Sequence, residues 1–176
     1  QFLIFHELTK MLSYKKILEL GSGQGHIGVF LNFAGYDVDL SEYDDTVLLN
    51  QIQEIDLEAK KVDFAKISQE ELEVYSCVIA VQLDYMFDEN ELKFFFKKCR
   101  LSRTDIIFVN SQIFGPINYI RYLIKQNKRS KYLKKHGFMK TIGFYKNLAK
   151  ENNMKFSARR SNHDLIESYY FLKFKN

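Results

Sequence analysis

The sequence predicts an α/β chain: a doubly wound, mostly parallel seven-stranded sheet with helices on both faces and an antiparallel C-terminal strand. Short apolar runs of strand length alternate with segments whose apolar residues recur every three or four positions, the pattern of a sheet wound by crossover helices. One run, CVIAVQL, is apolar throughout, as a parallel strand covered on both faces must be. The last segment, ESYYFLKFK, alternates as a reversing partner strand does. The pattern is unbroken by repeats or low-complexity linkers, so the 176 residues form one domain over 1–176. The chain opens on Gln1 rather than Met, which leaves room for further residues upstream.

Phe5, Leu8, Met11 and Leu12 recur at helical steps and predict a leading helix. KKILEL then reads as a short buried strand. After three glycines, Ile27, Phe30, Leu31 and Ala34 form one helical stripe, with Gly35 placed as a left-handed C-terminal cap. YDVDLSEY is the second strand. A helix opened by Asp44 and Asp45 and carried by Val47, Leu48, Ile52 and Ile55 follows, its acidic start suited to the positive end of the helix dipole. KVDFAKI is the third strand and CVIAVQL the fourth. Asp88 and Glu91 stand three apart, as in a capping box, ahead of Leu92, Phe95, Phe96 and Cys99. DIIFVNS is the fifth strand. Pro116, the only proline, fits the first position of a helix through Ile117, Ile120 and Ile124. A further helix is expected around Ile142, Tyr145, Leu148 and Ala149, and MKFSARR and ESYYFLKFK close the sheet.

Net charge is only +4, but it is sectored: residues 37–63 carry nine acidic and two basic side chains, residues 115–160 thirteen basic and one acidic. The basic sector suits a phosphate-bearing or otherwise anionic partner, although it would equally serve as a solvated helix pair. Its aromatics fall mostly at helical spacing and read as core rather than as a stacking surface for nucleic acid. Cys77 and Cys99 show neither metal-ligand spacing nor a disulfide framework, so no metal is expected. No run approaches the ~20 apolar residues of a membrane-spanning helix, and the N-terminal segment lacks the marks of a secretory signal, which makes the cytoplasm the expected location.

The chemistry concentrates in ILELGSGQGHIG. Gly21, Gly23 and Gly25 let the backbone turn out of a strand and pass close to a ligand. A dinucleotide fingerprint wants a glycine where His26 stands, and the Gly-Lys-Ser or Gly-Lys-Thr of a P-loop is absent. Glu19, two residues before the first glycine, would repel a phosphate and suits a ligand carrying an ammonium or sulfonium group.

With that acidic residue and its glycines, the stretch resembles the first motif of the class I S-adenosylmethionine-dependent methyltransferases. The resemblance implies that the loop of Gly21, Ser22, Gly23 and Gly25 faces the methionine part of S-adenosylmethionine, with Glu19 orienting its amino group. It also implies an acidic residue at the end of strand two for the ribose hydroxyls. Glu42 stands there, with Asp39 as the fallback, and a carboxylate can accept both hydroxyl hydrogen bonds. Where many members carry an Asp for the adenine amino group, this chain offers Ser68. After strand four, Gln82 and Asp84 stand where the family has a polar residue before an apolar loop. The Asn-Pro-Pro-Tyr type motif of amino-methylating nucleic-acid enzymes is absent, which argues against DNA adenine methylation.

Candidates for acceptor contact or catalysis are Asp84, Tyr85 and His136. His26 reads as a surface histidine at a helix start, and His163 and Asp164 as turn residues before the last strand. No catalytic base is required unless the acceptor must lose a proton at attack, because a sulfonium is already an activated methyl donor. The expected function is methyl transfer to a small-molecule acceptor, such as a sugar or phosphorylated metabolite. The alternatives are an RNA or protein acceptor, and a cofactor-binding scaffold without catalysis.

Overall fold

The computed structural model describes residues 2–43, 57, 59–64, 66–83, 86–110, 140–162 and 168–176. In these the chain runs α1 (Phe2–Thr9), β1 (Lys16–Leu20), α2 (His26–Phe33), β2 (Asp37–Glu42), β3 (Ala59–Lys61), α3 (Gln69–Glu73), β4 (Cys77–Val81), α4 (Glu89–Leu101), β5 (Asp105–Asn110), α5 (Ile142–Glu151), β6 (Lys155–Asn162) and β7 (Ser168–Lys175). The expected helices after Asp44 and after Pro116 lie outside the described residues.

The seven strands form one sheet in the order β3-β2-β1-β4-β5-β7-β6. Strands β1 to β5 pair in parallel, while β7 runs antiparallel to both β5 and β6. Strand order therefore reverses between β1 and β4. In doubly wound sheets a ligand binds beyond the carboxyl ends of the strands flanking that reversal.

Side-chain alternation splits the core into two layers. On one face Leu8 of α1 and Leu31 of α2 pack with Ile17, Val38, Leu40 and Ile79. On the other, Leu72, Phe96 and Tyr145 from α3, α4 and α5 pack with Leu18, Val78, Phe108 and Leu172. Two helix ends anticipated from sequence, at Asp88 and at Gly35, are built as expected. At the start of α4, Glu91 N–H donates to Asp88 Oδ1 at 2.8 Å and Asp88 N–H to Glu91 Oε2 at 2.9 Å. At the end of α2, Gly35 N–H donates to the Asn32 carbonyl and Tyr36 N–H to the Leu31 carbonyl, the bond pair of a Schellman cap.

The third strand corrects the sequence reading. It spans only Ala59–Lys61, not KVDFAKI, and Phe64 and Ile67 are buried from irregular backbone beyond it. Ser68 is accordingly not at a strand end. Its hydroxyl accepts from Glu71 N–H at 3.1 Å, while its own N–H donates to Glu71 Oε2 at 2.7 Å, a capping box that starts α3. Among the described residues no helix is long and apolar enough to cross a membrane.

Candidate functional site

The site follows from strand alternation. In β1, Ile17 and Glu19 share a face; in β2, Val38, Leu40 and Glu42 do. The parallel register sets Glu19 opposite Leu40, so both carboxylates fall on the α2 face at the carboxyl ends of adjacent strands. Asp39 has the opposite parity. It is buried among Tyr75, whose hydroxyl donates to its Oδ2 at 2.7 Å, Lys60 at 3.0 Å and Lys16 at 3.5 Å. Burial works to raise its pKa, but the Tyr75 hydrogen bond and the lysines outweigh that and hold it below the usual carboxylate range. Asp39 ties β2 to β3 and to the segment before β4, away from the cavity described next.

Glu19 is 2% exposed, and its Oε2 accepts from Gly28 N–H at 2.8 Å. Gly28 is the third residue of α2, whose N-cap, Gly25, has no side chain to satisfy the free amides of the first turn. A carboxylate from a strand thus does the work of a missing N-cap side chain. The contact needs glycine: a Cβ at Gly28 would stand 2.6 Å from Glu19 Oε2 and would also collide with Leu40. Burial pushes the Glu19 carboxyl up to about 8; the Gly28 amide opposes the shift, the Glu42 charge adds to it, and the Ser22 hydroxyl opposes it.

Glu42 holds the glycine loop from the other side. Its Oε2 accepts from Gly23 N–H at 2.7 Å and its Oε1 from Tyr43 N–H at 2.8 Å. Ser22 stitches the loop to β2: its N–H donates to the Ser41 carbonyl, its hydroxyl donates to the Glu19 carbonyl and accepts from Ser41 N–H. The buried Ser41 hydroxyl donates to the same Glu19 carbonyl at 2.8 Å. At Gly21, φ is +61° and a Cβ would lie 2.5 Å from the Leu83 side chain, so any larger residue is strained there and displaces Leu83. Gly23 differs. Its φ is +53°, yet a Cβ there would meet nothing within 4 Å, so open space lies over the loop at this residue.

That space is a cavity of about 410 Å³, within the range of small-molecule and cofactor sites. Its floor is Glu19 with the Gly21, Ser22 and Gly23 backbone; Gln24, His26 and Ile27 come from the start of α2, Glu42 from β2, and Val81, Gln82, Leu83 and Met86 from the end of β4. Gln82 has a φ of +53°, unusual for a residue with a Cβ, and its N–H donates to the Val109 carbonyl at 2.8 Å. Such backbone strain concentrates at functional sites. The lining holds two carboxylates and, among the described residues, no lysine or arginine. It suits a cationic ligand bearing hydroxyls and is hostile to a pyrophosphate.

Glu19, Gly21, Ser22, Gly23, Glu42 and Gln82 are therefore brought together, and Gly25 starts the adjoining helix. Ser68 does not line the cavity. Asp84, Tyr85 and His136, with His163 and Asp164, lie outside the described residues. Sequence reading missed Gly28, Ser41 and Leu83. Gly28 had one legible signal, a lone glycine within a helical stripe, which usually has a packing reason.

The strand order, the switch-point cavity and its acidic, glycine-lined floor define a Rossmann-like S-adenosylmethionine-dependent methyltransferase. The sequence model of one such family, described as tellurite resistance protein TehB, matches residues 5–109, and the chain belongs to that family. Its cofactor is S-adenosylmethionine. No curated protein matches the chain. Among solved structures, the fold resembles magnesium protoporphyrin IX methyltransferase from Synechocystis with bound S-adenosylhomocysteine, at a TM-score of 0.73 and 11% identity, covering 99% of this chain and 81% of that one. A methyltransferase from Methanosarcina mazei gives 0.72 at 13%, covering 96% of each chain. Human N-acetylserotonin methyltransferase with S-adenosylmethionine gives 0.70 at 13%; 98% of this chain is covered, but it spans only 51% of the human enzyme. At these identities the likeness is one of fold.

Proposed function

We propose that this chain, working as one domain over residues 1–176, transfers the methyl group of S-adenosylmethionine to a small, anionic acceptor. The observation that supports this most is the cavity floor: two carboxylates at the ends of β1 and β2, joined by a glycine loop with open space above Gly23. In this reading Glu42, with lone pairs left beyond its two backbone bonds, takes both ribose hydroxyls. Gly21, Ser22, Gly23 and Gly25 let the methionine part approach the backbone, Glu19 faces its amino group, and Gln82 closes the side beneath β4. The adenine contact belongs to residues other than Ser68, whose hydroxyl is engaged in the α3 cap.

When bound, the cofactor supplies a methyl group already activated on sulfur. The protein has then only to hold an acceptor atom in line and keep water out. One observation supports an anionic acceptor: the family is named for resistance to tellurite, a small oxyanion.

The test is incubation with methyl-labelled S-adenosylmethionine and tellurite, a sugar phosphate, bulk RNA or bulk protein. Label is expected in a small acceptor. Label confined to RNA, with the steep salt dependence of counterion release, or to protein would overturn the reading.

A further inference from the structure

Glu19 is a carboxyl group at 2% exposure with one short backbone hydrogen bond, from Gly28 N–H, on the floor of a cavity that lacks lysine and arginine among its described lining. Among the described residues, the charged and titratable groups sharing that cavity are Glu42 from β2, whose charge disfavours a second negative one, and His26 from the first turn of α2, which is exposed. The first-turn amide of α2 and the Ser22 hydroxyl favour the charged form, but burial outweighs them. A carboxylate in such a place has two ways to be neutralised, by a proton or by a cation arriving with the ligand. Burial in fact pushes this carboxyl up to about 8, the value for the protein with the cavity free of ligand.

We propose that Glu19 is protonated in the cofactor-free protein and releases that proton to solvent when the ammonium group of the cofactor takes its place, so that cofactor binding is coupled to proton release. This rests on the placement of the cofactor's amino group beside Glu19 given above. The balance is simple: neutral site plus cationic ligand gives an ion-paired site plus one free proton. Because only the ionised carboxylate pairs with the protonated ligand, the association constant rises about tenfold per pH unit below the carboxyl's own pKa and falls again where the ligand's ammonium loses its proton.

The experiment is calorimetric titration with S-adenosylhomocysteine at pH 6.5, in two buffers of different ionisation enthalpy. This ligand has the ammonium group but no sulfonium, and at that pH a free α-amino group is protonated. The heats should differ between buffers by the equivalent of close to one proton released per site. Glu19→Gln, which keeps an oxygen for the Gly28 amide, should abolish the difference, and His26→Asn should preserve it. Equal heats in the two buffers with clear binding would overturn the coupling while leaving the cofactor site intact. Release that survives in Glu19→Gln would overturn its assignment to Glu19. Absence of binding would overturn the cofactor placement and the coupling together. Should Glu19→Gln fail to fold, difference infrared spectroscopy of the unaltered protein decides: loss of a protonated-carboxyl band on ligand addition supports the coupling, and an unchanged band refutes it.

Discussion

Gly28→Ala is expected to lose about 2–4 kcal/mol of stability and at least tenfold in affinity for S-adenosylmethionine, although alanine is the better helix former by about 1 kcal/mol. The added methyl has to displace buried side chains. It would stand 2.6 Å from Glu19 Oε2 and collide with Leu40, so either α2 moves off β1 and β2 or the Glu19 carboxyl swings away from the Gly28 amide. The first course overpacks the sheet-helix interface. The second leaves a first-turn amide and a buried carboxyl without each other. Both deform the cavity floor. Gly143→Ala in α5 is the control, since its Cβ would make only ordinary contact with Thr141 Oγ1 at 3.6 Å. That variant should be neutral or slightly stabilised. Urea denaturation of the two proteins checks the difference, and matching midpoints would show that Gly28 is not needed for close approach.

Glu42→Ala is expected to weaken S-adenosylmethionine binding about 10- to 100-fold. A hydrogen bond to a charged group contributes roughly 1.5–3 kcal/mol, and the substitution removes the acceptor for the ribose hydroxyls. It also frees Gly23 N–H, held at 2.7 Å, so the glycine loop loses its anchor to β2. Stability should change little, because Glu42 is only half-buried and the freed amides can reach water. Glu42→Gln, which keeps one acceptor oxygen, should fall between the two. Equilibrium dialysis against labelled cofactor measures all three. An unchanged affinity in Glu42→Ala would remove the ribose assignment.

Most of what positions the cavity was written locally. The glycine turn after KILEL, the capping box at Asp88 and Glu91 and the alternation of ESYYFLKFK are short-range patterns, and each reappears in the structure. Alternation even contained the choice between Asp39 and Glu42: Val38 and Leu40 share a face with Glu42, whereas Asp39 has the parity of Ser41. Ser68 was misplaced because two local signals competed. VDFAKI has strand-like apolar residues, but the Ser-x-x-Glu of residues 68–71 starts a helix, and the hydrogen bonds of the cap decide the backbone there. The role of Gly28 was not legible in the same way. It depends on a side chain from β1 reaching the third amide of α2, a contact that exists only once strand and helix have packed. Likewise the positive φ of Gln82 reflects where β4 ends against Val109, which no local propensity specifies.

Whether the cofactor sits over the glycine loop between the ends of β1, β2 and β4 can be read from backbone amide NMR during titration with S-adenosylhomocysteine. One saturable site per chain is expected, with the largest shifts at Gly21, Ser22, Gly23, Gly28, Tyr43 and Gln82, and little change at Lys60 or Tyr75 beside Asp39. Shifts centred on Asp39 and its partners, or no shifts in the glycine loop at saturation, would contradict this placement.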